Sequence, residues 1–428
     1  MEEAPLRRGL YMPVLRAKPS EWFALAHMAP APRRRLLPLL ELTPDAFAIP
    51  RPTKREQGQS AQRLIKRPEQ IARVAIRNFA ECAAENAARG RLIVDVAHCG
   101  TLDFTPYGIS IWKELFRLWV PGTRGIVPTV RLRWKDSVHD VACGLVSRLN
   151  AGACLRLTAQ DLVRADLSAA VARILKLYEL PAGSIDLVVD FENDPHVLNY
   201  VTLARRIPLL SEWRTYTVVA GVFPVDLTDF DPEDTPETHS RLEWSTWWAQ
   251  VNQTPNNALR ATCASRLPQF GDFTTYHGKY VPARQSAGSY SIRYTDDLCY
   301  WIYRGYKANT DLGRTGNQFL GHARMLCSSG HFFGEQFSNA DAFIYSKAQV
   351  GVNSGSAKQW RSASVIHHMH TVLAQLDAPD GTSTHARASA AAQQRMALAG
   401  PPLSPLRRSA HAAQRAVSTA RQRRRRSE

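Results

Sequence analysis

The chain has 428 residues, 44% of them hydrophobic and 21% charged, a folded-protein composition with length enough for one large domain or two ordinary ones. No apolar run approaches the ~20 residues of a membrane-spanning helix, and the acidic opening Met1-Glu2-Glu3-Ala4-Pro5 lacks the apolar stretch of a secretory signal. The net charge of +16 is unevenly placed: ten arginines against one acid between residues 381 and 428 leave only +7 for the first 380 residues.

Taken in chain order, short apolar runs alternate with longer amphipathic stretches. Residues 11–16 and 36–42 read as strands, with a short helix over 21–28 between them. A long loop carrying prolines and basic residues follows at 43–66, then a helix over 68–89 with Pro68 near its start and Gly90 beyond its end. Strands over 91–97, 126–132, 153–157, 185–191, 216–223 and 267–273 follow, separated by helices over 110–120, 136–148, 160–179, 195–210 and 239–251. Thr158-x-x-Asp161 has the form of a variant capping box at the start of one of them. Residues 226–238, with Asp226, Asp229, Asp231, Glu233, Asp234 and Glu237, read as an acidic loop.

Most of the eight runs are continuously apolar, as strands covered by helices on both faces are. Eight strand-helix units within ~260 residues predict a (β/α)8, TIM-barrel-like α/β fold; a doubly wound parallel sheet is the alternative. The barrel core is assigned to residues 10–275. Residues 276–376, rich in tyrosine and with helices over 316–327 and 357–376, are either the last barrel helix with insertions or a subdomain capping the mouth. Residues 377–428 hold almost no large apolar side chains and read as a disordered basic tail. That tail is either a solvated extension or a contact for nucleic acid. The seven cysteines, Cys82, Cys99, Cys143, Cys154, Cys263, Cys299 and Cys327, include no C-x-x-C pair and suit reduced thiols in the cytoplasm.

A barrel places its chemistry at the C-terminal ends of its strands. Those ends carry Lys18, Glu41, Asp95 with His98 beyond it, Arg131 with Arg133, Arg156, Asp190 with Glu192, and Asp272. Residues two apart on a strand share a face, which predicts that Arg131 and Arg133 point together and that Asp190 and Glu192 do. Glu41, Asp95 and Asp190 are the candidate catalytic acids, for general acid–base work or for holding a divalent metal. Lys18, Arg131, Arg156, Glu192 and Asp272 are the candidate ligand-binding residues, the cations clamping an anionic small molecule such as a phosphate. The alternative is a set of buried ion pairs that closes the barrel without chemistry. His98 alone reads equally as a satisfied histidine.

Other motifs are weaker. His367 and His370 share a helix face and could bind a metal; the alternative is a helix packed through Val365 and Ile366 with its histidines outside. His196 reads as a helix N-terminal residue. The aromatic and basic mix over 290–306, with Arg293 and Arg304, reads as core ahead of a base-stacking surface. No G-x-G-x-x-G, P-loop, G-x-S-x-G or H-E-x-x-H pattern is present.

The opening Tyr11-x-Pro13-Val14-Leu15-x-x-Lys18-x-x-Glu21-x-x-Ala24-Leu25, followed by Pro38-Leu39-Leu40-Glu41, resembles the start of the phage T4 beta protein family. Gly271-Asp272-Phe273, Tyr294-Thr295, Trp301 with Arg304-Gly305, and Trp360-Arg361 before His367-His368 are similar too, so that the resemblance spans about residues 10–376. Such proteins occur in phages, prophages and mobile islands. The resemblance implies a role in phage–host conflict or defence. It brings no reaction and assigns no role to Lys18 or Glu41. Two functions follow as expectations: an enzyme, such as a metal-dependent hydrolase, acting on an anionic ligand at the barrel mouth, or an interaction protein whose basic tail contacts nucleic acid.

Overall fold

A computed structural model describes residues 9–47, 68–99, 110–120, 123–194, 205–252, 266–281, 289–307, 309–314 and 318–378. Its strands are β1 (Met12–Arg16), β2 (Leu39–Glu41), β3 (Leu92–Asp95), β4 (Ile126–Val130), β5 (Ala153–Thr158), β6 (Ile185–Asp190), β7 (Thr215–Ala220), β8 (Glu237–Ser240), β9 (Gln269–Asp272), β10 (Ile292–Thr295) and β11 (Cys299–Tyr303). β1 to β7 and β9 close into a parallel barrel in chain order, β9 pairing with both β7 and β1. The doubly wound alternative is thereby excluded.

The strands alternate two buried faces. Met12, Val14, Leu39, Ile93, Val127, Cys154, Val188 and Val219 turn inward and, with Leu37 and Phe273, fill the barrel. The residues between them, such as Leu15, Leu40, Val94, Leu155, Val189 and Val218, turn outward and pack beneath the helices. Burial on both sides is why these strands read as unbroken apolar runs. Near the bottom, the fully buried Asp186 of β6 pairs with Arg214 at 2.7 Å and Arg91 at 3.3 Å, and accepts a hydrogen bond from Thr215 Oγ1 at 2.8 Å.

Helices Pro19–Ala26, Pro68–Ala87, Ile111–Leu118, Asp136–Leu149, Leu167–Tyr178 and Leu242–Asn252 cover the barrel. Local signals set several of their ends. Ser110 Oγ accepts from the Lys113 amide, the Thr158 amide donates to Asp161, and Asn150 closes the helix Asp136–Leu149 in a left-handed conformation.

The ring of helices is completed by Ala357–Asp377. It packs against Pro19–Ala26, with Ser362 Oγ donating to the Ser20 carbonyl at 2.8 Å. Its Val365, Met369, Val372 and Leu373 belong to the same core as Tyr11, Leu15 and Leu25. Between β9 and this helix lie β10 and β11, which with β8 form an antiparallel sheet in the order β10-β11-β8. Helices Gln318–Ser328 and Asn339–Ala348 cover a second core of Tyr294, Tyr303, Phe319, Phe332 and Trp360. The tyrosine-rich stretch is core, as read from the sequence. Residues 237–240, expected in an acidic loop and the start of a helix, instead form β8, and the helix begins at Leu242.

Among the described residues, no helix is long and apolar enough to cross a membrane. The basic stretch 381–428, Cys263, His196, most of the loop expected over 43–66 and most of the helix expected over 195–210 lie outside the described residues. Met369 has no exposed surface, so Met369→Ala should cost about 2–5 kcal/mol. The exposed Val163→Ala should stay within about 0.5 kcal/mol. Urea unfolding of both variants checks this; a near-neutral Met369→Ala would detach the last helix from the barrel core.

Candidate functional site

The inward parity of the strands continues past the apolar layers to their C-terminal ends. After Met12 and Val14 comes Arg16, after Leu39 comes Glu41, after Ile93 comes Asp95, after Cys154 comes Arg156, and after Val188 comes Asp190. Register puts Arg16 beside Glu41 and Glu41 beside Asp95 on three adjacent strands. Charged side chains thus form the top layer of a barrel whose lower layers are apolar.

Arg156 crosses this layer. Its Nε and Nη2 reach Asp190 Oδ2 at 2.9 and 2.5 Å, and its Nη1 lies 2.8 Å from both Asp95 Oδ2 and Glu41 Oε1. Arg131, just past β4, donates to Asp95 at 2.6 Å. His98, in the turn after β3, holds its Nε2 3.1 Å from Glu41 Oε1, while Arg16 Nε lies 4.0 Å from Glu41 Oε2. Burial opposes ionisation of Glu41 and Asp95, but the cations prevail. His98 and Arg156 bring Glu41 down to about 2, and Arg131 and Arg156 lower Asp95. Burial likewise disfavours the Arg156 cation, and Asp190, Glu41 and Asp95 outweigh it.

Five of the eight candidates therefore converge: Glu41, Asp95, Arg131, Arg156 and Asp190. Three do not. β1 ends at Arg16, so Lys18 stands at the rim as the residue preceding helix Pro19–Ala26, its Nζ 3.7 Å from Asp45. β6 ends at Asp190, so strand alternation does not carry to Glu192. That residue has φ +53°, is exposed, and gives only its backbone amide to Asp190, at 2.8 Å. Asp272 has the opposite parity to Phe273 and faces the helices. There it accepts from Tyr11 Oη at 2.5 Å and from the Thr274 amide at 2.9 Å, and lies 2.8 Å from His368 Nε2. The expected pairing of Arg131 with Arg133 also fails, because a turn follows β4. Arg133 leaves the mouth for Asp161 at 2.8 Å.

Arg16 and His98 complete the site. Strand parity alone would have found Arg16, two residues after the inward Val14. His98 depends on the turn over Ala97–Cys99, which periodicity does not resolve. The acids are turned onto arginines, and among the described residues no group of three or more His, Cys, Asp or Glu side chains is placed to hold a metal ion.

The last helix corrects a further expectation. His367 and His368 are not outside but fully buried. His367 lies 3.0 Å from Asp341 and 2.8 Å from the Thr295 carbonyl, and His368 bridges Asp272 and Thr295 Oγ1. Burial lowers His368. Its Nε2 faces the Asp272 carboxylate and its Nδ1 faces Thr295 Oγ1. Burial works against ionised Asp272, yet His368 and Tyr11 hold it below the usual range.

These features define a β/α-barrel protein with an organised charged layer at the C-terminal ends of its strands and a buried polar network on its outer wall. The chain belongs to the Beta protein family, whose model matches residues 11–374. No significant match is found among curated proteins or among solved structures.

Two outcomes follow from the charges. Arg156→Met removes the cation that Asp190 pairs with and one partner each of Asp95 and Glu41, and should destabilise by about 3–5 kcal/mol in urea unfolding at pH 7. Because Glu41 and Asp95 are lowered in the folded state, their contribution is complete above about pH 4.5 and is lost as pH falls toward 2. Glu41→Gln should flatten that acid loss. An unchanged slope between pH 5 and pH 3 would show that the Glu41 carboxylate does not carry it.

Proposed function

We propose that the barrel mouth takes up an anionic small molecule, of phosphate or carboxylate type, and that His98 moves a proton on it. The Glu41–His98 contact carries this reading. A fully buried carboxylate, 2.8 Å from Arg156 and 4.0 Å from Arg16, faces one nitrogen of a histidine whose side chain is 23% exposed. A carboxylate accepting from one ring nitrogen sets the tautomer, orients the imidazole and leaves its other nitrogen to act as base or acid toward a ligand. Asp95 and Asp190 serve by holding Arg131 and Arg156 in place.

Arg131 and Lys18 supply the anion contacts. Arg131 spends one Nη2 on Asp95 and keeps a fifth of its side chain exposed. Lys18, a third exposed, meets Asp45 only at 3.7 Å. A guanidinium fork and an ammonium at the same barrel mouth suit a phosphate. Hydrolysis or isomerisation of a phosphorylated compound fits such a set, and family membership supports a phage-type protein, for which a role in phage–host conflict is part of this proposal.

A thermal-shift series of the full chain with inorganic phosphate and nucleoside monophosphates, with and without Mg²⁺, tests the site. Ligand at 100 times its Kd stabilises by about 2.7 kcal/mol. Arg131→Met should remove that shift, whereas His98→Gln should keep it and reduce turnover of a hit by about 10²–10⁴-fold. Protection that survives in both Arg131→Met and Lys18→Met would place the anion elsewhere and end this reading.

The ten arginines of residues 381–428 favour a second, independent contact with nucleic acid. Deleting those residues should abolish salt-sensitive DNA binding; retention at full strength would remove the tail from the account.

A further inference from the structure

The segment following β9 does not leave the mouth directly. The Thr274 amide caps the Asp272 carboxylate, Thr274 takes φ +54°, and the chain turns back across the barrel top. Several attachments hold residues 276–281 there, among them an antiparallel bridge between His277 and Val222. Gly278 lies against the backbone after β6, where any Cβ would come within 2.1 Å of the Glu192 carbonyl oxygen. Arg16 Nη2 donates to the carbonyls of His277 at 2.7 Å and Lys279 at 3.1 Å. Tyr280 Oη donates to Asp45 Oδ1 at 3.1 Å, its ring centred 5.0 Å from that of His98 and 5.7 Å from the Arg16 guanidinium carbon. The segment thus spans from the end of β6 to the turns after β2 and β3.

Arg16 is common to this strap and to the charged layer. One edge of its guanidinium grips two strap carbonyls, and its Nε faces Glu41, the carboxylate that orients His98. Its own backbone amide is tied to the buried Glu21. A planar fork that serves two partners at once cannot satisfy either fully when the other moves.

We propose that Arg16 is a positioning residue that couples the strap, residues 276–281, to the Glu41–His98 pair, so that the strap must be seated for His98 to be oriented. Tyr280 forms the wall beside His98. This deepens the proposed site and rests on it for its catalytic meaning, but the coupling itself is testable without a substrate.

Lys279 is exposed and makes the strap a trypsin site. In the full chain, cleavage after Lys279 is followed by mass spectrometry, and the midpoint of His98 titration by NMR. Among the described residues, the charged and titratable groups that interact with His98 include Glu41, Asp95 and Tyr280. Gly278→Ala, whose Cβ lifts the strap from Glu192, and Arg16→Lys, which keeps a cation but loses the fork, should each speed that cut about ten-fold, the effect of one charge-assisted hydrogen bond on a local opening. Gly278→Ala, which touches neither Glu41 nor His98, should also lower the His98 midpoint, because a released Arg16 turns fully to Glu41 and weakens its hold on the ring. Tyr280→Phe, which keeps the ring, should leave the midpoint near that of the unaltered chain. An unchanged cleavage rate in both strap variants, or faster cleavage with an unmoved His98 midpoint, overturns the coupling. Failure of phosphate to bind would bear on the proposed site and leave this result standing.

Discussion

Arg156 spans the barrel from β5 to Asp190 on β6, Asp95 on β3 and Glu41 on β2. A guanidinium with almost no exposed surface must meet carboxylates, since an unpaired buried charge costs several kcal/mol. Those carboxylates in turn require the remaining cations, Arg131 and Arg16, within the same layer. The whole upper layer follows from one side chain that cannot be left alone. It forms the floor of the mouth, above an interior filled by apolar side chains.

Charge is used differently elsewhere in the barrel. Asp186 answers to Arg214 and Arg91 near the lower end, where barrel residues serve stability. Asp272, one residue away from the inward parity, anchors Tyr11 and His368 and so ties β9 to β1 and to the last helix. The adjacent Arg241 donates to Gln375 of that helix and to the carbonyls of Asp296 and Asp297, while Glu243 accepts from Tyr300. This outer network binds the inserted sheet to the barrel through directional contacts. Hydrogen-bonded polar groups of this kind fix one arrangement of parts that apolar packing alone would leave less defined.

The insertion between β9 and the last helix also shapes the mouth. The chain returns across the barrel top before reaching β10, and Gly278 lets it lie directly on the turn after β6. A long elaboration at the C-terminal end of a barrel strand is where such folds gain their particular ligands, since the barrel holds the site while loops vary.

Much of this was legible in the residues. All eight barrel strands were visible as apolar runs, because burial on both faces removes polar residues from them. Glu41, Asp95, Arg131, Arg156 and Asp190 stood out as charges where each run stops. The amino-acid order could not show where a strand ends to the residue, and parity turns on that. β1 stopping at Arg16 brings Arg16 inward and leaves Lys18 at the rim, and β6 stopping at Asp190 releases Glu192. Asp272 and the buried His367 and His368 were misplaced for a related reason. A polar side chain is stable inside only if distant partners meet it, and Tyr11, Thr295 and Asp341 reach them from far along the chain. The sequence by itself determined eight buried strands alternating with helices and the charges at their ends, all of which rest on local periodicity, while the closure of those strands into a barrel took the tertiary structure. Which charges face one another, and what lies across them, only the tertiary structure decided, because closing the barrel sets distances that no spacing in the chain contains.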